Sequence, residues 1–240
     1  MTQYRLAHYL AMCGVASRKN SSKLITEGRV KIDGRLANHT DKVDDAQVPD
    51  IYVDDIAVDK PEAKQYWIYH KPVGIDCNLD AQRQASLIHH LPEDVRLFSV
   101  GRLDKDSRGL LLLTNDGQFN QQLMHPEFHY PKTYHVTVEH EFDAEFIHKM
   151  ATGVSYKDVT TKPCKVSAIG EIGSTRQFEI CLTQGMNRQI RRMAKALGYY
   201  VCDLQRVAIG ELIFADVNEG EMRQLTNDEL ASLRSLTKAD

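Results

Sequence analysis

Residues 100–117 read VGRLDKDSRGLLLLTNDG, a loop dense in charge that runs straight into four leucines. A continuous apolar run entered from Gly109 and left through Thr-Asn-Asp-Gly predicts a strand buried on both faces. Gly101 and Gly109 bracket Arg102, Asp104, Lys105, Asp106 and Arg108, so these charges are clamped to a rigid core. An unpaired carboxylate near the interior costs on the order of several kcal/mol, and an adjacent arginine lowers its pKa by roughly 1–3 units. An anion of that kind can serve as nucleophile or base. Taken alone, the pattern also fits a solvated turn whose charges pair structurally.

Outward from this segment, strands and helices alternate without a regular βαβ rhythm, which predicts an α+β fold. YWIYHKP at 66–72, Thr133–Val138, Phe178–Leu182 and Val201–Leu204 read as strands, and TNDEL at 226–230 resembles a capping box ahead of a last helix. The first forty residues form a separate pattern. A helix over Arg5–Met12 stops at Gly14, a second runs from an N-cap at Ser17 to Gly28, and RVKIDGRLA folds as a hairpin about Asp33-Gly34. Acids and prolines interrupt residues 41–64, which places a linker near Asp59–Lys64 and a boundary between domains 1–60 and 61–240.

The net charge of −3 argues against a nucleic-acid binder, but the average conceals a segregation. Residues 1–35 hold Arg5, Arg18, Lys19, Lys23, Arg29, Lys31 and Arg35 against Glu27 and Asp33, whereas 41–62 are acidic. Residues 186–206 are basic again, with Arg188, Arg191, Arg192, Lys195 and Arg206 against Asp203. A polyanion responds to such local patches, within about 8–10 Å. In QGMNRQIRRMAKALG (184–198), a helix capped by Asn187 and ended by Gly198 sets Ile190, Met193, Ala194 and Leu197 opposite a cationic face. In KTYHVTV (132–138), Tyr134 shares a face with Val136 and Val138. It reads as a core tyrosine, or, if a cleft opens there, as a ring to stack on an extruded base.

The five cysteines form no CxxC pair and the ten histidines no HxxxH or HExxH spacing, which speaks against disulfide frameworks and metal dependence. No secretory signal or membrane span is readable, so the expectation is a cytoplasmic protein without membrane contact. A Gly-rich phosphate loop is missing too, and no cofactor is expected.

Together these segments resemble the RsuA/RluB/RluE/RluF family of bacterial ribosomal-RNA pseudouridine synthases, in order and over nearly the whole chain. HKPVG (70–74), GRLDKDSRGLLLLTNDG (101–117), KTYHV (132–136) and LTQGMNRQIRRM (182–193) are similar to its successive motifs, and RLAHYLAMCGVASRK with ITEGRVKIDGR resembles an S4 RNA-binding domain. VTTKPCKV (159–166) looks most like the F-type branch, which modifies large-subunit RNA. The resemblance implies a small S4-like domain before a synthase domain with a mixed, mainly antiparallel sheet flanked by helices. It implies that Asp104 is the catalytic aspartate, Tyr134 the active-site tyrosine and Arg191 the cation paired with Asp104. Arg102 and Gln189 would support the site. Lys71, Arg108, Arg188 and Arg192 would contact RNA phosphates, as would Arg5, Arg18 and Lys19 in the S4-like part. The implied reaction breaks the N1–C1′ bond of uridine, turns the base and rejoins it through C5. Asp104 either attacks C1′ or takes the C2′ proton. The expected partner is 23S ribosomal RNA, with a tRNA stem-loop as the other RNA and a monomer as the acting form. The rival from another class is a non-catalytic RNA-binding or ribosome-assembly factor.

Overall fold

The four leucines lie in the strand Arg108–Thr114, which is buried from Gly109 onward. In the computed structural model, which describes residues 2–125, 130–213 and 216–235, this strand is near the middle of a nine-stranded sheet. The order is Lys165–Ile169, Gln177–Leu182, Lys132–Val138, Val201–Ile209, Arg108–Thr114, Tyr66–Lys71, Met222–Gln224. Phe98–Val100 pairs with Arg108–Thr114, and Leu212–Ile213 with Val201–Ile209. One pairing is parallel, Val201–Ile209 with Arg108–Thr114, through Gln205↔Arg108 and Arg206↔Gly109. The others in this sheet are antiparallel, so it is mixed and mainly antiparallel, as expected.

Period-two alternation divides the apolar side chains between two cores. Leu110 and Leu112 pack with Ile68, Phe119, Leu123 and Leu233, which brings the helices Gly117–Met124 and Asn227–Ser235 against the sheet. Val136, Val138, Phe178 and Ile180 pack with Phe146, Met150, Ile190 and Met193, from the helices Ala144–Thr152 and Gln189–Ala196. The capping box forms as read: the Thr226 amide donates to Glu229 Oε2 at 2.7 Å and the Glu229 amide to Thr226 Oγ1 at 3.2 Å. The helix Gln189–Ala196 departs from expectation. Its N-cap is Arg188, in the left-handed region at φ 53°, with no side-chain cap. Asn187 accepts instead from Arg192 Nη2, at 2.8 Å, because the one-residue shift carries its amide away from the free N–H groups.

Gly109 sits where the parallel strands meet. Its φ is +107°, and a Cβ there would lie 2.3 Å from the Arg206 carbonyl oxygen. Only glycine admits so close a backbone approach.

The chain divides into two units: residues up to 65 with 92–97 and 115–117, and 66–91 with 98–114 and 118 onward. In the first, the helices Leu6–Met12 and Arg18–Thr26 and the strands Val30–Ile32 and Ile51–Val53 bury Leu6, Tyr9, Leu10, Ile25, Val30, Ile32 and Ile51 together. Ser17 Oγ accepts from the Asn20 amide at 3.1 Å. Asp33 and Gly34 both have positive φ, 46° and 78°, as a tight hairpin turn requires. The acidic stretch is more structured than its composition indicates: Lys42–Asp44 pairs with Gln3–Arg5, and Ile56–Ala57 with Ile51–Val53. Among the described residues no helix is long and apolar enough to cross a membrane.

Candidate active site

The charged loop leaves the strand Phe98–Val100 and returns along Arg108–Thr114, so both its ends are fixed in the sheet. It forms one wall of a cleft of about 1240 Å³, whose lining includes Asp104, Tyr134, Leu182, Arg188, Leu204 and Arg206. That exceeds a typical small-ligand pocket, ~300–1,000 Å³, and suits a nucleotide with its neighbours. Tyr134 lies on the strand Lys132–Val138, opposite Ile180 on one side and Arg206 on the other. Cross-strand partners share a face, so tyrosine and arginine meet the same space.

Asp104 differs from its neighbours in having little to hold it. Its side chain is 29% exposed, its nearest cation is Arg188 Nη1 at 3.8 Å, and its carboxylate accepts no hydrogen bond from a described residue. Asp106 takes the tight pairing: Arg188 Nη1 and Nη2 both donate to it at 2.8 Å. Those bonds, helped by the Arg191 charge and opposed by partial burial, hold the Asp106 carboxyl below the usual carboxylate range.

The expected Asp104–Arg191 pair is therefore corrected. Arg191 donates to the Asp106 carbonyl oxygen at 2.6 Å and the Val201 carbonyl oxygen at 3.0 Å, and its Nε lies 3.4 Å from Asp106 Oδ2. Three residues earlier, at the N-cap, Arg188 is turned toward both aspartates by its left-handed backbone. Arg191 fixes the loop's backbone, and Arg188 is the cation nearer Asp104.

Two further residues expected to meet RNA are engaged within the protein. Lys71 is fully buried and its Nζ donates to the Pro72 carbonyl oxygen at 2.8 Å, so it is out of reach of an RNA phosphate. Burial lowers its pKa, against the opposing field of Cys77, Asp106, Asp76 and Asp104. Arg108 is held by Asp203, at 2.9 and 2.8 Å, and by Glu219 at 3.4 Å; it ties the loop's exit to the parallel strand. Arg102 projects toward solvent and reaches Asp76 Oδ1 at 3.3 Å. Gln189 is buried, accepts from the Met186 amide at 3.1 Å and shapes the turn before the helix. In the first unit Arg5 and Lys19 are exposed, and Arg18 meets His8 Nε2 at 2.7 Å.

Sequence reasoning counted Arg206 only toward a basic segment and left Lys132 unassigned, yet both line the cleft. Burial, then the Arg206 charge, lowers the Lys132 pKa to about 8.

Residues 65–196 match the model of a family described as RNA pseudouridylate synthase. An uncharacterized RNA pseudouridine synthase of Aquifex aeolicus is 34% identical over 97% of this chain and 94% of its own. The dual-specificity RNA pseudouridine synthase RluF of Escherichia coli K12 is 35% identical over 97% and 79% respectively. The ribosomal large subunit pseudouridine synthase B of Bacillus subtilis is 32% identical over 97% and 96%. A crystal structure of a pseudouridylate synthase superposes with a TM-score of 0.67 at 30% identity, over 95% of this chain and 99% of that one.

Proposed function

The chain belongs to the RNA pseudouridylate synthase family, of the RsuA/RluB/RluF type, and we propose that it isomerises a uridine of 23S ribosomal RNA with Asp104 as the reacting carboxylate. One observation carries the choice of Asp104. In a loop whose Arg102, Asp106 and Arg108 are all engaged by oppositely charged partners, Asp104 faces the cleft with its oxygens free of hydrogen bonds from the described residues. An anion so placed keeps its nucleophilicity, with Arg188 at 3.8 Å as its nearest cation.

The remaining residues divide the work. Tyr134, beside Leu182 and Leu204, stacks on the extruded uracil and serves the late proton transfer at C5. Arg191 is a positioning residue, acting through the backbone of Asp106. Arg192 and the first unit's Arg5, Arg18 and Lys19 contact phosphate, the first unit acting as an S4-like RNA-binding module. The protein works as a cytoplasmic monomer without a cofactor. The target rests on the names of the relatives, which include a large-subunit synthase and a dual-specificity one. A carbodiimide-based pseudouridine map of RNA from cells with and without the protein tests it. A site lost from 23S RNA supports the proposal; a site lost only from tRNA overturns the choice of RNA.

A further inference from the structure

Lys132 and Arg206 line the cleft withdrawn from solvent, unlike its exposed Lys105 and Lys162, and have no task in the scheme above. Lys132 and Tyr134, two residues apart, point to the same face of their strand, and Arg206 reaches that face because the ladder is irregular. The register runs Lys132↔Ile209 and Thr133↔Ala208, then skips Val207, so that Tyr134 faces Arg206. In an unbroken ladder Tyr134 would face Val207, and Arg206 would pair with His135 on the other side. Bulges beside active sites re-aim side chains in this way. Here the bulge exchanges a valine in the cleft wall for a guanidinium.

That guanidinium is only part-satisfied. Arg206 is 2% exposed, and its Nε donates to the Leu110 carbonyl oxygen at 2.7 Å. Its Nη2 is buried without a hydrogen-bond partner. Lys132 Nζ donates to the Tyr130 carbonyl oxygen at 3.1 Å. No carboxylate of a described residue lies within ion-pair distance of either cation. A buried and a part-buried cation side by side, lacking an anion, form an unfavourable arrangement unless a ligand brings negative charge.

We propose that Arg206, with Lys132 beside it, holds the uracil ring while it is detached from the sugar: Nη2 donates to a ring carbonyl oxygen, and the two cations balance the ring's transient charge. The inference rests on the reading of Asp104 and Tyr134 given above. When the N1–C1′ bond breaks, its electron pair leaves with N1, and the ring carries one negative charge spread over N1, O2 and O4. This holds whether Asp104 bonds to C1′ or removes the C2′ proton. Rejoining through C5 returns the electrons to C1′; C5 then loses a proton and N1 takes one up, so composition is unchanged. Groups that bind the detached anion better than neutral uridine accelerate its departure.

The test uses the full-length protein and an RNA oligonucleotide spanning a uridine that the wild type converts, carrying uridine or 5-fluorouridine there. Fluorine withdraws electrons and stabilises the departing anion, so a missing cation matters less. Arg206→Gln is expected to slow single-turnover loss of uridine by roughly 10²-fold, as removal of an oxyanion donor does, and to slow loss of 5-fluorouridine measurably less. Arg206→Lys recovers part of the rate, and RNA affinity is unchanged. Lys132→Met, at a less buried position, shows the same fluorine dependence with a smaller loss, which keeps the test sound should Arg206→Gln fold poorly. Equal slowing on both nucleosides, or wild-type rates in both variants, overturns the inference. Full activity in Asp104→Asn would instead overturn the reading on which it rests.

Discussion

Replacing Gly109 by alanine should damage the protein through geometry rather than chemistry, and the size of the effect can be worked out. The new Cβ would lie 2.3 Å from the Arg206 carbonyl oxygen and 2.7 Å from its nitrogen, against 3.4 Å for ordinary contact, so the parallel strand must retreat by about 1 Å. Two register pairs alone join these strands, and the retreat strains both. Positive φ at a non-glycine residue costs ~1–3 kcal/mol, and each weakened backbone hydrogen bond adds about 1 kcal/mol. A total near 3–4 kcal/mol lowers the melting temperature by about 10 °C for a domain of this size. Gly173→Ala is the control: its φ is +89°, but nothing lies within 4 Å of the new methyl, so it carries the φ cost alone. Because Gly109 ends the Asp104 loop and faces Arg206, turnover should fall in Gly109→Ala and persist in Gly173→Ala. Thermal melts read with single-turnover rates decide the matter. If Gly109→Ala is no less stable and no less active than Gly173→Ala, the close strand approach does not hold the site together.

Other expected outcomes follow from single contacts. Lys132 has its pKa lowered to about 8 by burial and the Arg206 charge, so its cation is present below that pH and lost above it; kcat/KM should fall as pH rises through about 8, and Lys132→Arg should move that fall to higher pH. Lys71→Met should leave RNA affinity and its salt dependence unchanged in filter binding, because the buried ammonium touches Pro72 rather than solvent. Thr226→Ala removes one half of the capping box and should cost ~1 kcal/mol in urea unfolding, with little effect on turnover.

Local signals were the legible part of this chain. Four successive leucines, Asp33-Gly34, Ser17 and Thr226 each carry their structural instruction within a few residues, and the strand, hairpin and caps formed as read. What escaped depends on distant partners. The pairing of Gln3–Arg5 with Lys42–Asp44 joins segments that look unrelated in sequence. The bulge that turns Arg206 into the cleft is a property of two strands in register, and neither strand announces it. Lys71 belongs to a strand whose pattern is almost wholly buried, and period-two reasoning cannot show that its ammonium would be enclosed with it. In the same way Arg188 and Arg191 share a helical face in sequence, but with the left-handed turn at Arg188 that residue meets both Asp104 and Asp106 while Arg191 meets Asp106 alone.

Asp104 and Asp106 lie two residues apart on one loop, and the chemistry assigned here separates them entirely. Purified Asp104→Asn and Asp106→Asn proteins, each bound to an RNA that the wild type converts, can be compared in single-turnover pseudouridine formation. Asp104→Asn should bind the RNA normally and lose roughly 10⁴-fold or more of the rate, as loss of an essential nucleophile does, while Asp106→Asn retains measurable turnover. Conversion by Asp104→Asn at a rate near the wild type's would contradict the assignment.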